Sequence, residues 1–189
     1  MKILALSSSR VGNSSYLEPA IPFVKELLGN TPLKVAFVPF ATVNSYDDYY
    51  QKVTEAFKDL PYKIDMVDNT NCKILLQKCD AVMIGGGNTF KLLHDLYAND
   101  LVDLIRRKVL EGAPYVGWSA GSNILGLTIN TTNDMPIIQP QSFEALALFP
   151  FQINPHYFNQ IIPGFNGETR DQRLQEFLAL NPTSTIFAL

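Results

Sequence analysis

The sequence predicts an α/β fold of the doubly wound type, in which helices cover both faces of a mostly parallel sheet. Two observations predict it: short apolar runs rich in β-branched residues recur along the chain, and segments with helical apolar spacing separate them. Strands that alternate with helices in this way form a parallel sheet. Functional groups in such sheets collect beyond the carboxyl ends of the strands, so the loops after the strands are the first places to search.

The predicted elements alternate through the first two thirds of the chain. Strands are predicted at residues 3–6, 34–37, 64–67, 81–84 and 115–116. Helices are predicted at 17–28, 46–57, 90–97 and 101–110, where apolar residues are spaced by three and four. An irregular region with prolines follows, and then a helix at 170–180 and a strand at 184–189. No repeat or linker divides the chain, so we expect one α/β domain over residues 1–189.

The composition is typical of a compact enzyme with a small substrate. Of 189 residues, 47% are hydrophobic and 17% are charged, with a net charge of −3. Because no block is rich in Lys and Arg, we expect no nucleic acid and no anionic membrane as partner. The apolar start is too short for a signal peptide and no run reaches spanning length, so we expect a cytoplasmic location. Cys72 and Cys79 have no histidine nearby, which predicts free thiols and no metal site.

Residues 117–121, which read Gly-Trp-Ser-Ala-Gly, are the strongest indication of chemistry. A serine nucleophile on a sharp strand-to-helix turn needs neighbours without bulk, because the backbone is strained and a substrate carbonyl must approach. The run 113–116 is predicted as a buried strand and 122–127 as the opening of a helix, as this motif requires. Ser119 is therefore the predicted nucleophile.

A serine nucleophile needs a base, and histidine suits that task near neutral pH. The chain has two histidines. His94 lies inside a predicted helix, where a partly solvated surface histidine is the better interpretation. His156 follows the extended segment 151–155 at the tip of a strand, so we predict it as the base; the alternative is a capped loop histidine without a role.

Asp134 is the candidate for the third group, which orients the imidazole and stabilises its charged form. It lies between Ser119 and His156 in the chain, an order that one large hydrolase class also has. The segment 133–136 is also compatible with a simple turn, because Asn and Asp cap their own backbone and a proline follows. Both interpretations stay open.

Backbone N–H groups of small residues are candidates for stabilising an oxyanion. Glycines 85–87 and Asn88 follow a predicted strand at the start of a helix, and the amide of Ala120 adjoins the nucleophile. The glycines are also compatible with a plain tight turn or with a phosphate-binding loop. The hydroxyl-rich segment 7–15 has two interpretations as well, a flavin phosphate site or a helix N-cap.

Five blocks of the sequence resemble the peptidase E family of serine peptidases, cytoplasmic α-aspartyl dipeptidases that are also related to cyanophycinase. They cover nearly the whole chain in the family's order: residues 85–90, 117–121, 131–136, 149–156 and 167–170. The resemblance implies a doubly wound sheet of the class I glutamine amidotransferase type, with serine replacing cysteine as nucleophile. By position it implies Ser119 as nucleophile, His156 as base and the amides of Gly87 and Ala120 as oxyanion donors. Asp134 matches an aspartate that is important for activity in the family.

The family hydrolyses dipeptides that begin with aspartate, so the resemblance implies a small acidic peptide substrate and no metal or organic cofactor. A cation must then bind the substrate's side-chain carboxylate. Arg170 is the candidate, because a planar guanidinium holds a carboxylate through two charge-assisted hydrogen bonds. The alternatives for Arg170 are a surface ion pair with Glu168 or Asp171, or a first-turn helix residue. Asn88 is expected to add a hydrogen bond to the same ligand.

In the family, the strand matched by residues 185–189 is followed by a Pro-Glu-Gly segment and further strands, and that glutamate is a proposed partner of the catalytic histidine. This sequence ends two residues short of it. We therefore expect a peptidase domain without those strands: either the chain is a shortened form, or Asp134 alone orients His156. The alternatives are a catalytically impaired homologue that binds acidic peptides without turnover, and a flavin-binding reductase. We expect a monomer or a homodimer.

Overall fold

Five parallel strands form the central sheet, in the spatial order β1-β5-β4-β2-β3. The computed structural model describes residues 1–160, 163–164 and 166–189. The strands are β1 Ile3–Leu6, β2 Leu33–Val38, β3 Tyr62–Met66, β4 Ala81–Ile84 and β5 Tyr115–Trp118. All five lie at the predicted places, and their parallel pairing confirms the predicted α/β class.

Helices cover both faces of this sheet. They are α1 Ile21–Leu28, α2 Tyr46–Ala56, α3 Cys72–Lys78, α4 Thr89–Ala98, α5 Val102–Leu110, α6 Ala120–Asn123 and α7 Arg170–Leu180. Alternate residues of β2 separate the two cores: Phe37 packs in the core under α1 and α2, and Val38 packs in the core under α3, α4 and α5. The doubly wound arrangement follows from the chain's reversal of direction along the sheet after β3.

The start of the first predicted helix is wrong. Instead of one helix from residue 17, Leu17 has a left-handed backbone (φ 57°), a 3₁₀ turn spans Glu18–Ala20, and α1 begins at Ile21. A continuous helix would require residue 22 to donate its backbone N–H to the carbonyl of residue 18. Residue 22 is a proline without an N–H, so it is tolerated only in a first turn. The helix predicted to open at 122–127 is also shorter, since α6 ends at Asn123.

A second, two-stranded parallel sheet lies apart from the first and joins β6 Gln152–Asn154 to β7 Ile186–Ala188. The rings of Phe151 and Phe187 pack 4.3 Å apart beside it. The side chain of Asn123 in α6 donates to the carbonyl of Ile153 at 2.6 Å. This bond ties β6 to the helix after β5 and so brings the loop after β6 to the carboxyl edge of the central sheet.

Candidate active site

Ser119 occupies a strained turn between β5 and α6. Its φ of 52° and ψ of −114° lie outside the regions that non-glycine residues ordinarily adopt. Its neighbours must be small: a Cβ at Gly121 would overlap the carbonyl of Ile84, and a Cβ at Gly117 would lie 2.5 Å from the carbonyl oxygen of Gly121. The two glycines therefore permit the strand-to-helix turn that presents the Ser119 hydroxyl.

His156 meets that hydroxyl. Its Nε2 lies 2.9 Å from Ser119 Oγ, although 37 residues separate the two in the chain. The residue also has a positive φ, 55°, and its backbone N–H donates to Ser7 Oγ at 3.0 Å. Ser7 in turn donates to the carbonyl of Leu189 at 2.9 Å, which ties the loop of His156 to the end of β1 and to the residue after β7. His94 instead contacts Asp95 on α4, with 2.9 Å between Nδ1 and Oδ1.

The glycine loop after β4 lies directly against the nucleophile. A Cβ at Gly86 would be 2.9 Å from Ser119 Cβ, and a Cβ at Gly87 would overlap the backbone of Ala41. Gly87 has a φ of 145°, which suits glycine alone. Within the described ranges, the backbone N–H of Gly87 has no protein acceptor. Ala120 is the first residue of α6, so its N–H has no acceptor within the helix.

The Asp134 carboxylate is placed differently from its predicted catalytic role. Its Oδ2 accepts hydrogen bonds from Thr89 N at 2.7 Å, from Thr89 Oγ1 at 2.6 Å and from Thr132 Oγ1 at 3.1 Å. Thr89 begins α4, and a negative charge is favourable at a helix N-terminus. Among residues that the structure describes, no hydrogen bond joins Asp134 to His156, and none is made by His156 Nδ1. The geometry favours the turn-and-cap interpretation of Asp134.

The side chains of Asn88 and Arg170 are also hydrogen-bonded to other residues of the chain. Asn88 caps α4 by accepting from Lys91 N at 3.0 Å, and its amide donates to the carbonyl of Met135 at 2.8 Å. Arg170 Nη1 donates to Asn133 Oδ1. Burial, with a smaller contribution from the nearby Arg173 charge, lowers the pKa of Arg170. Neither Asn88 nor Arg170 lines the cavity in front of Ser119.

That cavity has a volume of about 760 Å³ and opens at the carboxyl edge of the sheet. Ser119, His156 and the glycine loop form one side of it, and the loop after β1, the loop after β2 and the first turns of α2 form the rest. Two cations, Arg10 and Lys52, and one carboxylate, Asp48, lie on its lining. Arg10 belongs to the hydroxyl-rich loop 7–15, but nothing in that loop indicated a substrate-binding cation. Asp48 and Lys52 were not predicted, because α2 carries no motif and the strand order decides which loops it lies beside.

Two aromatic residues of the lining are joined to the turn of the nucleophile. The indole Nε1 of Trp118 donates to the hydroxyls of Tyr16 and Tyr49, each at 3.1 Å. Burial raises the pKa of both tyrosines, so their hydroxyls stay protonated. No signal in the sequence alone indicated that these side chains meet.

The described part of the chain contains no group of three or more His, Cys, Asp or Glu residues arranged to hold a metal ion. Over the same residues, no helix is both long enough and apolar enough to cross a membrane. Cys72 and Cys79 are both buried free thiols, as predicted.

The model of peptidase family S51 matches residues 3–189. A peptidase E of Shewanella oneidensis is 51% identical over 188 residues, which cover 98% of this chain and 79% of that protein. A peptidase E of Nostoc sp. is 49% identical over 190 residues, which cover 100% of this chain and 78% of that protein.

Two solved structures share the fold. A crystal structure from Listeria monocytogenes EGD-e has a TM-score of 0.72 at 24% identity, covering 100% of this chain and 90% of that one. The structure of a peptidase from an acI-B1 Actinobacterium has a TM-score of 0.66 at 19% identity, covering 99% of this chain and 79% of that one. These two structures show the fold, whereas the family model and the sequence relatives confirm the predicted family resemblance: the chain belongs to peptidase family S51.

Proposed function

We propose that this chain is a serine dipeptidase in which Ser119 is the nucleophile and His156 is the general base. One observation carries the proposal: the Ser119 hydroxyl, held on a positive-φ turn, lies 2.9 Å from His156 Nε2. Nucleophile and base within hydrogen-bonding distance are the signature of an activated serine. The proposed cleavage requires no metal and no organic cofactor.

In the first step, Ser119 Oγ attacks the carbonyl carbon of the substrate's first residue, and its proton passes to His156 Nε2. The carbonyl oxygen becomes an oxyanion that accepts hydrogen bonds from the N–H groups of Gly87 and Ala120. Loss of one such donor typically costs about 10²- to 10³-fold in rate. When the C–N bond breaks, the proton on His156 goes to the leaving amine, and the first residue remains as an ester on Ser119.

In the second step, water attacks the ester carbon and gives a proton to His156 Nε2. The second tetrahedral intermediate collapses, the bond to Ser119 Oγ breaks, and the proton returns from His156 to the serine oxygen. The products are the two free amino acids, and the enzyme is restored to its starting state.

The charges on the cavity lining support an acidic dipeptide as substrate. A dipeptide that begins with aspartate carries two carboxylates and one ammonium group near neutral pH. The lining offers two cations, Arg10 and Lys52, and one carboxylate, Asp48, and no ion pair joins any of these three to another described residue. We propose that Arg10 and Lys52 bind the substrate carboxylates; Arg170, the cation expected from the family resemblance, is the competing candidate.

The cleavage test compares Asp-Leu with Leu-Leu and Asn-Leu at equal concentration. We expect selective release of leucine from Asp-Leu, and loss of that activity in Ser119→Ala. Ser9→Ala is the matched control, because Ser9 also lines the cavity but does not contact His156. Equal cleavage by Ser119→Ala and the parent would exclude the serine mechanism, and equal cleavage of the three dipeptides would exclude acidic specificity.

A second candidate function is binding of acidic peptides without turnover. It is favoured by the position of Asp134, whose carboxylate bonds to Thr89 and Thr132 and leaves His156 Nδ1 without a partner among the described residues. Calorimetry with Asp-Leu distinguishes the two: saturable binding with no leucine release supports the binding function. The cytoplasmic location expected from the sequence is part of the proposal, because a peptidase of free dipeptides meets its substrates there.

A further inference from the structure

The side chain of Tyr49 lies on the wall of the cavity and reaches from α2 to the glycine loop. Its hydroxyl donates to the carbonyl of Gly86 at 2.9 Å and accepts from Trp118 Nε1 at 3.1 Å. A phenol carries one hydrogen, so the bond to Gly86 uses the only donor that Tyr49 has. Tyr49 thus links the strand that carries Ser119 to the loop that carries Gly87.

The ring of Tyr49 is held firmly in this position. It packs edge-on against Phe37, with ring centres 5.2 Å apart and planes at 87°, and against Tyr16 at 6.4 Å. Gly85 permits the contact on the other side, because a Cβ there would overlap the Tyr49 hydroxyl. A partly buried aromatic ring with packed neighbours on both sides keeps one rotamer, so its hydroxyl is a fixed point for the glycine loop.

The bond to Gly86 determines where the next N–H points. In a trans peptide the C=O of one residue and the N–H of the following residue point in opposite directions. The peptide between Gly86 and Gly87 therefore directs its N–H away from Tyr49 when its carbonyl is bonded to the Tyr49 hydroxyl. Glycine backbones are otherwise soft, and consecutive glycines adopt several orientations at small cost.

We propose that Tyr49 is a positioning residue, whose hydroxyl holds the Gly86–Gly87 peptide so that the Gly87 N–H faces the oxyanion formed on Ser119. The inference rests on the proposed function. Tyr49 does not contact the reacting atoms; it acts through the peptide that does. Preorganised donors of this kind stabilise charge that develops only in the transition state.

The test is Tyr49→Phe, which removes the hydroxyl and keeps the ring. We expect kcat for Asp-Leu to fall about 10- to 100-fold, because misdirecting an oxyanion donor lowers the rate by as much as, or less than, removing that donor. We expect KM to change by less than about threefold, because the interaction is made in the transition state. Binding of aspartyl aldehyde, whose adduct with Ser119 carries an oxyanion, should weaken by the same factor as kcat, while binding of free aspartate should not change.

Tyr50→Phe is the matched control. Tyr50 is the next residue on α2, and its hydroxyl donates to the carbonyl of Ile64 at 2.8 Å without lining the cavity. Both variants lose one hydrogen bond from tyrosine to a backbone carbonyl. Tyr49→Phe also removes one of the two acceptors of Trp118 Nε1, which keeps the Tyr16 hydroxyl, so the melting temperatures should fall to a similar extent or slightly further in Tyr49→Phe. Only Tyr49→Phe should lose turnover.

Two results would overturn the inference: equal kcat in the two tyrosine variants, or a raised KM at unchanged kcat, which would make Tyr49 a substrate contact. Failure of the proposed function has a different signature. In that case the parent protein releases no leucine from Asp-Leu, or Ser119→Ala releases it as fast as the parent, and the positioning role is lost with it.

Discussion

Replacing Asp134 by asparagine separates a structural role of this carboxylate from a catalytic one. Oδ2 of Asp134 accepts two short bonds from Thr89, and Thr89 is 1% exposed at the start of α4. Asparagine keeps an oxygen acceptor at this place but loses the charge. The perturbation therefore weakens these bonds and the interaction with the helix N-terminus without opening a cavity.

The expected loss of stability follows from these contacts. Hydrogen bonds to a charged group exceed neutral ones by about 1 kcal/mol each. A charge at a helix N-terminus contributes about 0.3–1 kcal/mol more. We therefore expect Asp134→Asn to lower the free energy of unfolding by about 1–3 kcal/mol, which corresponds to a melting temperature lower by about 2–12 °C.

Turnover should change far less than it would if Asp134 oriented the catalytic histidine. Because no hydrogen bond joins Asp134 to Ser119 or His156 among the described residues, we expect kcat for Asp-Leu to stay within about tenfold of the parent value. Replacing a carboxylate that orients a catalytic histidine instead costs about 10⁴-fold. Thermal melting and kcat measured on the same preparation distinguish these two results.

Asp68→Asn is the control for a hydrogen-bonded carboxylate in a turn away from the cavity. Asp68 accepts from the backbone and hydroxyl of Thr70, each at 2.7 Å, and these bonds lower the pKa of its carboxyl. We expect this variant to melt at a lower temperature with unchanged kcat. A parental melting temperature for Asp134→Asn, together with a kcat reduced more than about 10³-fold, would refute the capping role and restore the catalytic one.

Three further predictions concern packing, pH and charge. Gly121→Ala places a Cβ against the carbonyl of Ile84, so we expect a loss of at least about 1–3 kcal/mol of stability, measured by urea unfolding, and a near-parental stability would contradict the overlap. Burial raises the pKa of Asp95, but its hydrogen bonds, above all with Lys91, outweigh burial and lower the pKa overall. A lowered pKa stabilises the fold at pH values above the unfolded pKa, and this stabilisation is lost as pH falls below about 4. Asp95→Asn should therefore show a shallower acid unfolding curve than the parent. Arg10→Gln should raise KM for Asp-Leu about 10-fold or more while Arg173→Gln leaves it unchanged, and an unchanged KM in Arg10→Gln would remove Arg10 from substrate binding.

The central sheet was predictable because its signals are local. The apolar runs of β1 to β5 are short and β-branched, and each is followed by a segment with helical spacing. Errors arose where a short-range rule was overlooked, as at Pro22, or where an element was too short to show a period, as in α3 Cys72–Lys78. β7 was predicted as a strand, but its pairing with β6 could not be predicted, because pairing depends on contacts far apart in the chain.

The residues of the candidate site were also predictable only where their signals are local. The nucleophile turn at Ser119 was predictable from five adjacent residues, because the need for small neighbours at Gly117 and Gly121 is a local steric condition. Asp134 was equally compatible with a turn and with catalysis, because sequence order carries no information about which hydrogen-bond donors its carboxylate oxygens meet. Its bonds to Thr89 cross 45 residues.

By itself, then, the sequence determined the alternation of strands and helices, the nucleophile turn and the family. Only the tertiary structure decided which side chains share the cavity. Tyr49 meets Gly86 across 37 residues and Trp118 across 69, and Arg10 comes to the same cavity from the loop after the edge strand β1. The physical reason is that local sterics and hydrophobic period set each element, whereas the order of strands in the sheet sets which loops lie side by side.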